Sequence, residues 1–325
     1  MRRRDFITLL GGAAAAWPIA ARAQQSALPV IGFLQSGLPD LSASYLRAFR
    51  QGLSETGYVE GRNVTIEYRW AENQYDRLPA LAADLVRRQV AVIVANNPAA
   101  LPAKAATTTI PIVFTVGLDP VAVGLLVSLN RPGGNLTGIT SLNVEIGPKP
   151  LELLHEVIPT ATVIALLVNP ANPNAETLSR DVQAAARMLA LQLHVLHAST
   201  ERDFDTVFAT LAQLRAGGLV IGPDALFNNR SEQLAALSLR HAVHAISPYR
   251  EFAAAGGLMS YGGNNTVSSR QVGVYTGRIL KGEKPADLPV MQITRIDLII
   301  NLKTAKALGL TVPSSMLARA DEVIE

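Results

Sequence analysis

IPIVFTVGLDPVAVGLLVSLNRPGGNLTGIT, residues 110–140, is the segment from which the architecture is most readily read. Ile110 to Thr115 is an apolar, β-branched run with proline only at its second position, the pattern of a strand buried on both faces of a parallel sheet. It stops at Val116-Gly117-Leu118-Asp119-Pro120, where Gly117 permits unusual backbone angles, Asp119 can cap a helix and Pro120 suits a first turn. The spacing therefore predicts a strand, a helix over Val121 to Asn130, a turn at Arg131-Pro132-Gly133-Gly134-Asn135, a further short strand, and an exit at Ser141-Leu142-Asn143. In open α/β sheets ligands sit at the carboxyl edge of the strands, where backbone N–H groups and helix N-termini converge.

The pattern extends in both directions. Before this segment, Pro29 to Gln35, Val64 to Arg69 and Val90 to Ala95 read as strands, each followed by a helical stretch, to about Thr56, Arg88 and Thr107 in turn. After it, strands at Ala161 to Val168, Gln192 to Leu196, Gly218 to Ile221, Ala245 to Ser247 and Gly257 to Ser260 alternate with helices at Pro150 to Val157, Ala175 to Ala190, Phe204 to Leu214 and Ala225 to Arg240. Strand and helix in alternation predict an α/β fold of two doubly wound parallel-sheet lobes. The chain crosses between lobes more than once, because Tyr261-Gly262-Gly263-Asn264-Asn265 ends a strand just before a helix at Val267 to Leu280. The expected division is residues 28–142 with about 264–284 in the first lobe, and 143–263 with about 285–325 in the second. Such a multi-segment connection acts as a hinge with a cleft between the sheet edges.

At 325 residues, with hydrophobic residues at 49% and aromatics at 5%, the composition is that of an ordinary α/β protein, and two domains are the prior. The first 23 residues read as an export address. Arg2, Arg3 and Arg4 precede a small apolar run from Phe6 to Ala21, Ala21-Arg22-Ala23 supplies a cleavage site, and Arg3-Arg4-Asp5-Phe6-Ile7 resembles a twin-arginine motif. Of 29 Lys and Arg and 26 Asp and Glu, that segment takes four Arg and one Asp and leaves 25 of each sign. A neutral mature chain gives no reason to expect nucleic acid as a partner. No apolar run after residue 25 is long enough to span a bilayer, so no stable membrane insertion is expected after cleavage near Ala23. Cysteine is absent, which excludes disulfides, thiolate nucleophiles and a lipid-modified N-terminal Cys. A periplasmic location is the expectation.

Catalytic sets are missing from the sequence: there is no G-x-S-x-G, no phosphate-binding loop, no H-E-x-x-H and no dinucleotide fingerprint. His155, His194, His197, His241 and His244 do not form a metal-ligand spacing more persuasive than solvated turns, so neither a metal nor a cofactor is expected and an enzyme is disfavoured. The polar residues at expected strand ends are the informative ones: Ser36, Asn97, Gly117, Asp119 and Ser141 in the first lobe, Asn169, Asp224 and Tyr261 in the second. Each alone is also a plausible cap or turn residue. Facing one another, they would form a site for a small molecule. Asp224, the only carboxylate at a strand end of the second lobe, is the candidate partner for a cationic amine.

Five separated segments carry a resemblance that covers residues 28–325: VIGFLQSG, the segment 110–138, LVNPANPNAE, GGLMSYG, and VGVYTGRILKGEKPADLPV with the ending INLKTAKALGL. In these the chain resembles the family of ABC-transporter substrate-binding proteins that includes tryptophan- and phenylalanine-binding proteins, which have a type I periplasmic binding fold. The resemblance implies capture of a small organic solute between the lobes and delivery to an inner-membrane permease. It also implies ligand contacts at Ser36, Asn97, Gly117, Asp119, Ser141, Asp224 and Tyr261. Asn97 and Leu118 stand where threonine is usual in amino-acid binders, and Pro223 and Ala225 flank Asp224. An amino acid, an aromatic acid or a related carboxylate all remain open as the solute. A periplasmic sensor feeding a membrane kinase would have the same lobes.

Overall fold

The structure is a computed structural model that describes residues 28–39, 42–141 and 146–325. The export segment and its cleavage site at Ala23 lie outside the described residues, as do Leu41, Leu142 and Asn143.

The first lobe is built on a six-stranded sheet. Its strands are β1 (Val30–Gln35), β2 (Thr65–Trp70), β3 (Val92–Asn96), β4 (Ile112–Val116), β5 (Leu136–Thr140) and β11 (Met291–Gln292), in the order β11-β5-β4-β3-β1-β2. All pairs are parallel. β3 and β4 are buried almost end to end, as continuous apolar runs in a sheet interior should be. One face is covered by α2 (Leu78–Arg87), α3 (Ala100–Ala106) and the segment after β4. The other is covered by α1 (Ala43–Glu55) and a helix that arrives much later in the chain, α10 (Asn265–Leu280).

The second lobe has seven strands: β6 (Val163–Val168), β7 (Gln192–His197), β8 (Gly218–Ile221), β9 (His244–Ser247), β10 (Met259–Gly263), β12 (Ile296–Asn301) and β13 (Glu322–Ile324), in the order β13-β12-β10-β9-β8-β6-β7. Helices α4 (Pro148–Val157), α5 (Ala175–Met188), α11 (Leu302–Ala307) and α12 (Ser314–Leu317) pack on one face around Leu151, Leu154, Val182 and Met316. On the other face α6 (Asp203–Leu214), α7 (Ala225–Asn229), α8 (Ser231–Arg240) and α9 (Arg250–Ala254) enclose Phe204, Phe208, Phe227 and Phe252. Burying each of these phenylalanines contributes on the order of 1.5–3 kcal/mol. No described helix is long and apolar enough to cross a membrane.

Three crossings join the lobes: from β5 into α4, from β10 into α10, and from β11 into β12. The last explains the one antiparallel pairing, β12 against β10. The strands other than β12 and β13 run toward the cleft, so a chain that re-enters the second lobe from β11 starts at the cleft edge and must run away from it, and β13 pairs parallel to β12 in the same direction.

Several local expectations are corrected. Residues 121–130 form successive turns instead of a helix. Gly124 sits at φ +70 in their middle, and Val121, Val123 and Val127 are β-branched and at least a third exposed, so neither propensity nor burial favours a helix. The helix expected over Ala225 to Arg240 is broken at Arg230 into α7 and α8. The third crossing falls after Ile293, not at about 285: β11 pairs with β5, Val290 N–H donates to Leu129, and Leu288 lies in the first lobe's core. A two-residue strand leaves too short a pattern to locate from sequence.

The late helix α10 is seated in the first lobe by very close approach to α1. A Cβ on Gly52 would lie 1.8 Å from the Arg270 carbonyl oxygen, and one on Gly273 would lie 2.1 Å from that of Phe49. Only glycine at both positions lets the two backbones meet.

Candidate functional site

A cavity of about 150 Å³ lies between the lobes where the carboxyl ends of both sheets face each other. From the first lobe come Gln35, Asn96, Thr115, Val116, Gly117 and Ser141 at strand ends, and Phe33, Phe49 and Val94 as an apolar floor. The second lobe contributes Asn172 after β6, Pro223, Asp224 and Ala225 after β8, Asn228 and Asn229 on α7, and Tyr249 after β9. Asn97 and Tyr45 of the first lobe and Asn265, Ser269 and Val272 on α10 also line it. At roughly 10–15 Å³ for each water-sized centre, such a space accommodates about a dozen non-hydrogen atoms.

Among the described residues Asp224 is the only charged one in this lining, and it is 3% exposed. As N-cap of α7 its carboxylate accepts the Leu226 N–H at 2.9 Å, and it also accepts from Asn172 at 2.7 Å, from Asn169 at 3.2 Å and from the Tyr75 hydroxyl at 2.9 and 3.0 Å. None of these donors is a cation. Burial raises its pKa above the ordinary carboxylate value even though the four donors pull the other way. When ionised, Asp224 is an anion with no countercharge in the lining among the described residues.

Tyr75 belongs to the first lobe and Asp224 to the second, so their bond spans the cleft. Two further spans lie beside it. Tyr45 on α1 donates to Glu251 on α9 at 2.8 Å and accepts from Asn228 at 2.9 Å, and Asn229 approaches Asn73 at 3.4 Å. Burial, with the nearby Asp224 carboxylate, pushes the Tyr75 phenol well up, so its proton stays available for donation. The lobes are closed on the cavity. Tyr75→Phe, which removes one donor to a buried carboxylate, should raise the open fraction of the ligand-free protein about tenfold. Solution scattering reads this as a larger radius of gyration, and an unchanged radius would mean that the span carries no closing energy.

Asn97, Gly117, Ser141 and Asp224, all expected at the site, do line the cavity. Ser36, Asp119, Asn169 and Tyr261 do not, and each for a visible reason. Ser36 is fully buried and paired reciprocally with Asn96, its N–H donating to Oδ1 at 3.0 Å and Asn96 Nδ2 donating to its Oγ at 2.9 Å. Asn169 stands behind Asp224 as one of its donors. Asp119 accepts the Val121 N–H at 2.8 Å within its own turn. Tyr261 packs against the α4/α5 core of the second lobe, the face opposite to α9. The sequence reading missed Tyr45, Tyr75, Asn228 and Tyr249. Tyr45 and Asn228 lie within helices and Tyr75 in a short helical turn, so no strand-end signature marks them. Among the described residues no cluster of three or more His, Asp and Glu could hold a metal ion.

A family model described as "ABC transporter substrate binding protein" matches residues 40–324. A tyrosine-binding protein of Clostridioides difficile (strain R20291) is 26% identical over 266 residues, spanning 81% of this chain and 76% of that protein. Among solved structures, an ABC domain from Streptococcus pneumonia in complex with L-Trp superposes with a TM-score of 0.81 at 24% identity, covering 92% of this chain and 100% of that one. A ligand-free, open structure of a substrate-binding protein with adhesive properties from Clostridium difficile gives 0.63 at 25% identity, covering 91% and 99%.

Proposed function

Because the chain belongs to the ABC transporter substrate-binding protein family, whose members bind solutes and are not enzymes, we propose that it captures an amino acid with an apolar or aromatic side chain and delivers it to an inner-membrane ABC permease. The observation that carries the solute class is Asp224, a buried carboxyl in a cavity whose lining holds no Lys, Arg or His among the described residues. A solute bearing an ammonium supplies the missing charge. A simple aromatic acid or dicarboxylate would bring a second anion into the same low-dielectric space and meet no cation among the described residues. The apolar part of the solute faces Phe33, Phe49, Val94 and Val272, while its carboxylate is met by neutral donors such as Ser141, Thr115 and the backbone around Gly117. Capacity supports the same reading, since an aromatic amino acid has about the dozen non-hydrogen atoms that the space accommodates. So does the relative named for tyrosine binding.

Closure is part of the function. A ligand held by both lobes favours the closed form over the open one by the difference in contacts, and the closed form is what a permease would recognise. The higher superposition score on the L-Trp complex than on the open ligand-free structure, at similar identity and coverage, supports a closed arrangement of this chain's lobes. The place of action proposed is the periplasm, after removal of the N-terminal export segment.

Thermal unfolding of the mature protein tests the solute class. L-tyrosine, L-phenylalanine or L-tryptophan at about 100 times its dissociation constant should stabilise the protein by about 2.7 kcal/mol and raise Tm by several degrees. The matching deaminated acids should leave Tm unchanged. Stabilisation by the acids but by none of the amino acids would reject the proposal.

A further inference from the structure

Asn228 lies four residues after Asp224, one helical turn along α7, so the two side chains share a face and both line the cavity. Its amide nitrogen donates to the Tyr45 hydroxyl, and that hydroxyl donates its single proton to Glu251. A carboxylate only accepts, and a phenol that has given up its one proton can only accept in return. The direction of the chain from Asn228 through Tyr45 to Glu251 is therefore fixed, and Asn228 is compelled to turn its NH2 group toward Tyr45. Burial and the neighbouring Glu251 carboxylate push the Tyr45 phenol well above its ordinary value, which keeps that proton in place. The consequence is an acceptor without a donor: Asn228 Oδ1 is buried and has no hydrogen-bond partner among the described residues. Buried polar atoms left in this state cost free energy, and a bound molecule is one way to satisfy them.

We infer that Asn228 is a specificity-determining residue whose Oδ1 accepts a second N–H from the cationic nitrogen held by Asp224, with Tyr45 and Glu251 as positioning residues that fix its amide. This rests on the proposed amine-bearing solute. A primary ammonium has three N–H bonds and can serve Asp224 and Asn228 together. A hydroxyl in the same place has one proton and must leave one acceptor unpaired. Because Tyr45 comes from the opposite lobe to Asn228 and Glu251, the amide is fixed only when the cleft closes, and closure and selection for the ammonium are coupled.

Calorimetric titration separates this inference from the reading it rests on. The probes are whichever of L-tyrosine, L-phenylalanine and L-tryptophan the wild type binds most tightly, and its α-hydroxy analogue. In wild type the amino acid should bind far more tightly than the hydroxy acid. In Asn228→Leu that ratio should narrow about tenfold, the loss expected of one hydrogen bond to a charged group, while Asp224 still favours the ammonium. Tyr45→Phe, which frees the amide to turn over, should narrow the ratio in the same direction. Should Asn228→Leu not fold, Asn228→Ala and Tyr45→Phe decide the matter. Binding of the amino acid with an unchanged ratio in the folded variants overturns the role of Asn228 alone. Failure of wild type to bind any of the three amino acids overturns both readings.

Discussion

Replacing Asp224 with asparagine should abolish tight binding, with a loss of at least about 100-fold in affinity for an amine-bearing solute. The size follows from leaving a cation buried opposite a neutral amide, a truncation that typically costs 2–5 kcal/mol or more. An asparagine retains one oxygen to cap α7 through Leu226 N–H and to accept from Asn169, but its NH2 group then faces the Asn172 amide and the Tyr75 hydroxyl, which are donors themselves. A modest fall in the Tm of the empty protein should therefore accompany a much larger fall in affinity. The pH dependence discriminates further. The native carboxyl is raised above its ordinary value, chiefly by burial. For the empty protein, the stability contributed by the proton is fully present below the ordinary carboxylate value and is lost as pH rises through the raised one. Binding an ammonium needs the ionised form, so affinity has the opposite slope and weakens as pH falls through the raised value. Asp224→Asn should flatten both slopes. Retention of either slope in the variant would assign the titration to another group.

The second large effect lies far from the cavity. Gly273→Ala, or Gly52→Ala, should cost about 3 kcal/mol or more and lower Tm by roughly 5–10 °C. In each case the added methyl collides with a backbone oxygen, 2.1 Å from Phe49 O or 1.8 Å from Arg270 O, and a carbonyl inside a helix cannot turn aside as a side chain would. The strain falls on the packing that fixes α10 in the first lobe, although the chain reaches α10 only after passing through the second. Ser54→Ala, on the exposed side of α1, should change Tm little. Equal effects from Ser54 and Gly273 would mean that helix propensity, not close approach, governs this pair.

The features that were legible in the sequence share a physical reason. Buried runs such as Ile112–Val116 and Gly218–Ile221 announce strands because both faces of a parallel sheet are covered, and Gly or Asn follows where the chain must turn. Residues whose backbone ends a strand at the cleft, namely Asn97, Gly117, Ser141 and Asp224, were found for that reason. The same rule overreached at Ser36 and Tyr261, because a strand end fixes where a residue's backbone lies but not which way its side chain turns. Ser36 turns into Asn96, and Tyr261 onto the helices of its own lobe. What stayed hidden depends on the two lobes meeting. Tyr75 reaches Asp224 from 149 residues away and Tyr45 reaches Glu251 from 206, and no local spacing encodes either contact. The turns over 121–130 were hidden for another reason: an apolar run of that length fits a helix until Gly124 adopts a positive φ.

A crystal structure of the mature protein grown with the aromatic L-amino acid that stabilises it most would test the central claim directly. That molecule should lie enclosed between the lobes, its nitrogen within about 3.2 Å of an Asp224 carboxylate oxygen and its side chain against Phe33 and Phe49. A molecule bound outside the cleft, or bound inside it with its nitrogen turned away from Asp224, would contradict the account.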